Sequence, residues 1–247
     1  MSAAADRSGP RGLFVAGTDT GVGKTFVATR LIHALVAAGF RVAAMKPVAA
    51  GATRTPDGWR NDDALALAAA ANVAADYATV NPYCLAAAVS PHIAAAEAGV
   101  HIETGPIVAG LRTLSVQADF VVVEGAGGWL APISERQSMA DVAQALRLPV
   151  LLVVGLKLGC LSHAALTAAA IRAGGGRLAG WVGNAIDPHF ERVTENLASL
   201  ERLLAMPPAA VMPYADRAER VAAISPAAAR SLAQSALAGT AVEVLSV

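Results

Sequence analysis

Short apolar runs alternate along this chain with longer segments whose apolar residues recur at helical spacing. The runs Leu13–Gly17, Val42–Val48, Phe120–Gly125, Val150–Leu156, Leu178–Asn184 and Ala210–Pro213 have the length of strands. Several are apolar without a break, as strands are when both faces of a sheet are covered. The pattern predicts helices over Thr25–Ala38, Asn61–Ala71, Pro91–Ala98, Thr104–Gln117, Ala140–Leu146, Ser162–Ala173, Glu191–Ala205 and Pro226–Leu237. Alternation of this kind predicts an α/β fold, one doubly wound and mostly parallel sheet with helices on both faces. No Pro/Ser-rich linker or internal repeat divides the sequence. Residues 13–247 are therefore read as a single domain behind a disordered tail, Met1–Gly12.

Composition sharpens this picture mainly by exclusion. The 247 residues suffice for one large domain, 55% are hydrophobic and only 15% are charged. Alanine supplies much of the apolar content, which implies helices packed closely on the sheet. The formal net charge is zero, so no bulk attraction draws the chain to nucleic acid or to an anionic membrane. Cys84 and Cys160 are far apart and fit neither a zinc spacing nor a disulfide framework. The longest apolar runs are strand-sized, which argues against a transmembrane helix. The tail lacks the apolar stretch of a signal peptide, and a signal of ordinary length could not be removed without cutting into Gly17–Thr25. A cytoplasmic location is expected.

That segment carries the first chemistry. Gly17-Thr18-Asp19-Thr20-Gly21-Val22-Gly23-Lys24-Thr25 follows the first predicted strand and opens the first predicted helix. Strand, glycine loop ending in Gly-Lys-Thr, then helix is the layout of a phosphate-binding P-loop. Backbone N–H groups of the loop and the helix start converge on one spot that favours a polyphosphate. Lys24 would reach the β- and γ-phosphates, and the Thr25 hydroxyl would ligate Mg²⁺. The loop is a variant, because five residues rather than four separate Gly17 from Gly23. The fold is thus expected to be of the P-loop NTPase type. In such sheets ligands lie beyond the C-terminal strand ends. Lys46, Glu124 before Gly125-Ala126-Gly127-Gly128, Lys157 before Gly159-Cys160, Asn184, and Pro213-Tyr214 follow the later strands in turn.

With these motifs in order the chain resembles the dethiobiotin synthetase family. The resemblance is carried by residues 17–25, Lys46-Pro47-Val48, Arg60-Asn61-Asp62-Asp63-Ala64-Leu65, Asn81-Pro82-Tyr83 and Ser90-Pro91-His92. It continues through Val123-Glu124-Gly125-Ala126-Gly127-Gly128-Trp129, Lys157-Leu158-Gly159-Cys160 and Gly180-Trp181-Val182-Gly183-Asn184. It spans Gly17 to about Asn184, and the long loop spacing is part of the family pattern.

The resemblance implies a reaction of 7,8-diaminononanoate, CO₂ (or bicarbonate) and MgATP. A carbamate of one amine is phosphorylated to a carbamic–phosphoric anhydride. The second amine then closes a cyclic urea, giving dethiobiotin, ADP and phosphate. Catalysis of such a transfer is mostly positioning and charge stabilisation. The implied catalytic residues are Lys46, Lys24 and Thr20. The implied ATP site comprises Gly21, Val22, Gly23, Lys24, Thr25, Phe26, Asp63, Glu124, Gly125, Ala126, Gly127, Asn184, Ala185, Pro213, Tyr214 and Ala215. Thr25, Asp63 and Glu124 match the family's Mg²⁺ positions and offer the hard oxygen donors that ion takes. Lys46, Ala50, Lys157, Gly159, Cys160 and Ser162 would contact the diamine substrate, and a homodimer is implied.

On their own several of these residues have simpler readings. Asp63 suits a helix start whatever else it does, and Asp62 is the adjacent candidate. Lys157 reads equally as a strand cap, Cys160 as a packing residue and His92 as structural. The chain also departs from the family pattern. Ala50 stands where members often have Ser, Ser162 where they have Asn, and Ala185 where they have Asp. Asn196 lies near the place of a Tyr that reaches the substrate tail across the dimer. The main alternative is a partitioning or assembly ATPase with a deviant P-loop, but Gly17-Thr18-Asp19-Thr20 lacks the early Lys of that group. An amide-forming synthetase on a cobalamin-type substrate and a non-catalytic nucleotide-binding protein are the remaining alternatives.

Overall fold

The computed structural model describes residues 11–214 and 224–238. Residues 1–10 of the expected tail and Ala215 lie outside the described residues. In chain order the first elements are β1 (Gly12–Gly17), α1 (Lys24–Ala37), β2 (Val42–Met45), β3 (Val48–Ala50), β4 (Thr53–Thr55) and β5 (Gly58–Arg60). They are followed by α2 (Asp62–Ala70), α3 (Tyr77–Val80), β6 (Tyr83–Leu85), α4 (Pro91–Glu97), α5 (Thr104–Gln117) and β7 (Phe120–Glu124). The remainder is α6 (Met139–Leu146), β8 (Val150–Leu156), α7 (Cys160–Ala173), β9 (Leu178–Ala185), α8 (Val193–Leu204), β10 (Ala210–Met212) and α9 (Pro226–Ala238).

Six strands form the central sheet in the order β10-β9-β8-β1-β7-β2, and every pairing in it is parallel. Alternation within β1 shows why its apolar run is unbroken. Leu13 and Val15 pack on one face with Leu31, Leu35 and Leu67, while Phe14 and Ala16 pack on the other with Leu111, Met139 and Val142. Side chains of a strand point alternately to opposite faces, so a doubly covered strand must be apolar at both parities. The first layer is built from α1, α2 and α9, and the second includes α5, α6 and α7. Parallel pairing puts the C-terminal ends of β1, β2 and β7 on one rim.

The run expected as one strand, Val42–Val48, is two. β2 stops at Met45, and β3 resumes beyond Pro47 in a separate two-stranded sheet, parallel to β6. Pro47 has no N–H for a ladder. Its carbonyl accepts from Tyr83 N at 3.1 Å, and Lys46 N donates to Val80 O at 2.7 Å. Lys46 is therefore pinned at the seam between the two sheets. The antiparallel hairpin β4–β5 pairs Thr53 with Arg60 and was not anticipated, although Pro56-Asp57-Gly58 is a turn sequence.

Candidate active site

Several segments meet at the rim. β1 leads into the P-loop, and α1 starts directly after Gly23, which is left-handed at φ 84°. A Cβ at Gly23 would lie 2.2 Å from Asn184 Nδ2, so only glycine meets both conditions. Asn184, buried at the end of β9, donates to Val22 O at 2.8 Å and braces the loop from behind. α1 carries no acid in its first turn, so the positive end of its dipole stays free for an anion.

A cavity of about 590 Å³ opens in front of this loop. Its walls include Thr20, Gly21, Gly23, Lys24 and Thr25 from the loop and Lys46, Ala49 and Ala50 from the β2–β3 seam. Asn61 and Asp63 line it from the start of α2, Ala88 to Pro91 from the approach to α4, and Glu124, Ala126 and Gly127 from the end of β7. Asn61 caps α2, accepting from Asp63 N at 3.1 Å and Ala64 N at 3.3 Å. That cap aims Asp63 at the cavity and leaves Asp62 exposed.

Charge is concentrated here. Lys46 Nζ lies 2.6 Å from Glu124 Oε1 and 3.0 Å from Asp63 Oδ2. Thr25 Oγ1 donates to the same Glu124 oxygen at 2.8 Å. Burial opposes the charged form of Lys46, but Glu124 and Asp63 outweigh it and raise its pKa above the ordinary lysine value. Burial also works against the Asp63 carboxylate, yet the charge and hydrogen bond of Lys46 win and lower its pKa. Lys24 has no such partner. Burial, reinforced by the neighbouring charge of Lys46, lowers it to about 8. Its ammonium donates to Asp19 O at 3.1 Å. A buried lysine without a carboxylate partner, loop N–H groups and a helix start free of acids together suit a polyphosphate.

The AAA_26 family model, an AAA domain, matches residues 11–222. A protein of Xanthomonas oryzae pv. oryzae (strain PXO99A), named ATP-dependent dethiobiotin synthetase BioD, is 52% identical over 213 residues, covering 86% of this chain and 95% of its own. The chain belongs to the dethiobiotin synthetase family. Relatives of the same name from Xanthomonas euvesicatoria pv. vesicatoria and Xylella fastidiosa are 55% and 53% identical over 194 residues. These alignments cover 78% of this chain and 87% and 86% of theirs. Among solved structures, the MinC:MinD cell division protein complex of Aquifex aeolicus superposes with a TM-score of 0.56 at 15% identity, covering 95% of this chain and 98% of that one. At that identity the likeness is one of fold, a P-loop NTPase sheet.

For a dethiobiotin synthetase the oxygen donors suit Mg²⁺. Glu124 Oε2 is buried without a hydrogen-bond partner, a costly arrangement for a carboxylate unless a cation takes it up. Thr25 and Asp63 supply further hard oxygens beside it. Among the described residues no group of three or more His, Cys, Asp and Glu side chains could hold a metal alone. Phosphates and water would have to complete the shell.

The other expected substrate residues do not line this cavity. Lys157 pairs with Asp19 of the P-loop at 3.2 Å, a partner the sequence reading missed. Gly159 is the left-handed N-cap of α7, which starts at Cys160, two residues before the Ser162 start expected. Cys160 is buried in the core, where desolvation raises its thiol pKa. Ser162 is exposed on the first turn of α7. Of the residues expected around a nucleotide, Phe26 lies under Arg30, whose guanidinium is 5.1 Å from the ring centre. Gly125 packs against Phe14, and its carbonyl faces Lys46 Nζ at 3.4 Å. Ala185 ends β9, and Pro213 and Tyr214 are exposed beyond β10.

Proposed function

We propose that this chain is an ATP-dependent dethiobiotin synthetase of biotin biosynthesis, a ligase that carboxylates 7,8-diaminononanoate and closes its urea ring. One amine adds to CO₂ and loses a proton to give a carbamate. A carbamate oxygen attacks the γ-phosphorus of ATP, and ADP departs. The second amine attacks the carbonyl of the resulting anhydride, the C–O bond to phosphate breaks, and dethiobiotin forms. The observation that carries this reading is the place of Lys46. A cation buried between two carboxylates faces the cavity of the P-loop, where two anions, carbamate and ATP, would have to meet.

Lys24 and the N–H groups of Gly21, Val22 and Gly23 hold the β- and γ-phosphates. Lys46 bridges the γ-phosphate and the carbamate, and Thr20 donates to the transferring group. Thr25, Asp63 and Glu124 hold Mg²⁺, which when bound offsets phosphate charge. Gly125, Ala126 and Gly127 shape the phosphate wall. Asn184, Ala185, Pro213 and Tyr214, with Phe26, form the base side, and the expected role of Ala215 falls outside the described residues. Ala50 contacts the diamine within the same cavity. Lys157, Gly159 and Ser162, grouped around the start of α7, serve the carboxylate tail of a diamine bound at the junction of a homodimer, since they stand apart from the Lys46 cavity of their own chain, while Cys160 is held in the core. Among the described residues no helix is long and apolar enough to cross a membrane, in keeping with a cytoplasmic enzyme.

The test is direct. Purified protein, 7,8-diaminononanoate, bicarbonate and MgATP should yield dethiobiotin, with ATP consumption dependent on the diamine and on bicarbonate. ATP hydrolysis indifferent to the diamine would overturn the reading in favour of a switch ATPase.

A further inference from the structure

Lys46 and Asp63 come from different elements, and the hydrogen bonds behind the cavity wall connect them. Tyr77, at the first position of α3, sends its hydroxyl between the two. The hydroxyl accepts from Asn61 N at 2.8 Å and donates to Asn81 Oδ1 at 3.1 Å. Cys84 Sγ, at 3.6 Å, is placed to donate to its remaining lone pair. A phenol has one proton and two acceptor sites, so every valence of this hydroxyl is used. Asn81, 2% exposed, then donates through Nδ2 to Lys46 O at 2.6 Å and to Tyr83 O at 3.2 Å. On the other side Asn61 holds Asp63 N and Ala64 N through Oδ1, and its Nδ2 donates to Ala50 O at 3.3 Å. A continuous chain of hydrogen bonds, partly buried at the Tyr77 end and fully buried at Lys46, thus runs Asp63–Asn61–Tyr77–Asn81–Lys46 behind the cavity.

We propose that Tyr77 is a positioning residue for ring closure, its hydroxyl locking the strand end that carries Lys46 to the helix start that carries Asp63. The proposal rests on the reading that Lys46 and Asp63 serve dethiobiotin formation. Positional errors of about 1 Å at a reacting centre can cost about a hundredfold in rate, and Lys46 sits just past the end of the β2–β7 ladder, held there by a few single hydrogen bonds. Tyr77 is well placed for this duty. The Arg60 guanidinium packs 4.2 Å from its ring centre and clamps it in place. Burial pushes its pKa up to about 12, so the proton it gives Asn81 is kept through the physiological range.

The experiment compares wild type, Tyr77→Phe and Arg60→Met. Phe keeps the ring and removes the hydroxyl, whereas Met removes the clamp and keeps the hydroxyl. Tyr77→Phe should lower kcat for dethiobiotin formation at least about tenfold while KM for ATP stays within about twofold, since the P-loop is untouched. Arg60→Met, which keeps the hydroxyl and its hydrogen-bond partners, should lose clearly less kcat than Tyr77→Phe. Asn81→Ser, which drops the amide on Lys46 O, provides the same kcat-against-KM split should Tyr77→Phe fail to fold. A crystal structure of the variant tested supplies a readout independent of turnover, and the 3.0 Å contact of Lys46 with Asp63 should be lost or lengthened. Unchanged kcat, an unchanged contact, or an equal kcat loss in Arg60→Met would overturn the proposal. A wild-type protein that makes no dethiobiotin would sink the reading of the reaction instead, and the crystallographic comparison would still decide whether Tyr77 sets the Lys46–Asp63 geometry.

Discussion

Lys46 Nζ lies 2.6 Å from Glu124 Oε1, and both side chains are almost wholly withdrawn from water, at 4% and 1% exposure. One ammonium group thereby joins the ends of the adjacent strands β2 and β7. A second contact, to Asp63, ties both to the start of α2. Such a pair contributes little net stability compared with a well-packed apolar pair, but breaking it from one side is costly. Its presence at the rim is a feature of the site rather than of the core.

Replacing Lys46 by Met should therefore have two separable effects. Stability should fall by about 3–5 kcal/mol, because Glu124 is left buried without its cation. The double variant Lys46→Met/Glu124→Gln should recover most of that loss in denaturant titrations, and strict additivity would show that the two residues do not couple. Turnover should fall about 10²–10³-fold with ATP affinity nearly retained, as for a group that stabilises charge developing in the transition state. The turnover loss should not be rescued by raising ATP.

Much of this arrangement was legible in the sequence, and the exceptions share a cause. The six strands of the central sheet announced themselves because burial on both faces forces unbroken apolar runs. Lys24, Lys46 and Glu124 stood out because each follows a strand at the ligand rim, whereas Asp63 reads alone as a helix-start acid and was marked for the site only by the family resemblance. Lys46 at a sheet seam was not foreseen, since Val42–Val48 reads as one apolar run and only Pro47 marks the break. Asn61 could have been recognised as a helix cap from its place before Asp62 and Asp63. Tyr77, Asn81 and the Asp19–Lys157 pair could not. They meet through the path of the chain in space, between residues as far apart as 19 and 157, and no local pattern encodes that meeting.

Glu124→Gln tests the proposed metal role. Gln preserves the shape and can still accept from Thr25 and Lys46, but it removes the anionic oxygen that has no hydrogen-bond partner. The Mg²⁺ concentration for half-maximal dethiobiotin formation should rise at least about tenfold. A Mg²⁺ dependence equal to that of wild type would take Glu124 out of the metal site.

The two left-handed glycines of the P-loop should respond differently to alanine. Gly21 has φ 76° and nothing within 4 Å of a built Cβ, whereas Gly23 has φ 84° and would meet Asn184 Nδ2 at 2.2 Å. Gly21→Ala should cost about 1–2 kcal/mol, the strain of a left-handed Cβ. Gly23→Ala should cost clearly more, because Asn184 must also give up its bond to Val22 O and move within a buried site. Equal losses in thermal or denaturant unfolding would contradict the bracing role assigned to Asn184.

Lys24 provides the pH prediction. Its pKa of about 8 lies below the ordinary lysine value of 10.5, so the folded protein releases this proton more readily than the unfolded chain. The penalty for burying the charge is in full force below pH 8 and is relieved as pH rises from about 8 to 10.5, where this group alone makes stability increase with pH. Binding of a polyphosphate supplies the missing counter-charge and pulls the pKa back up. Near pH 8 about half of the Lys24 side chains are neutral beforehand, so ATP binding should take up about half a proton. Calorimetry of ATP binding in buffers of differing ionisation enthalpy measures this uptake directly. It should shrink toward the contribution of ATP itself at pH 6.5, where Lys24 is already charged. A binding enthalpy at pH 8 independent of the buffer would show that Lys24 is fully protonated before the nucleotide arrives, and its burial would then carry no proton linkage to phosphate binding.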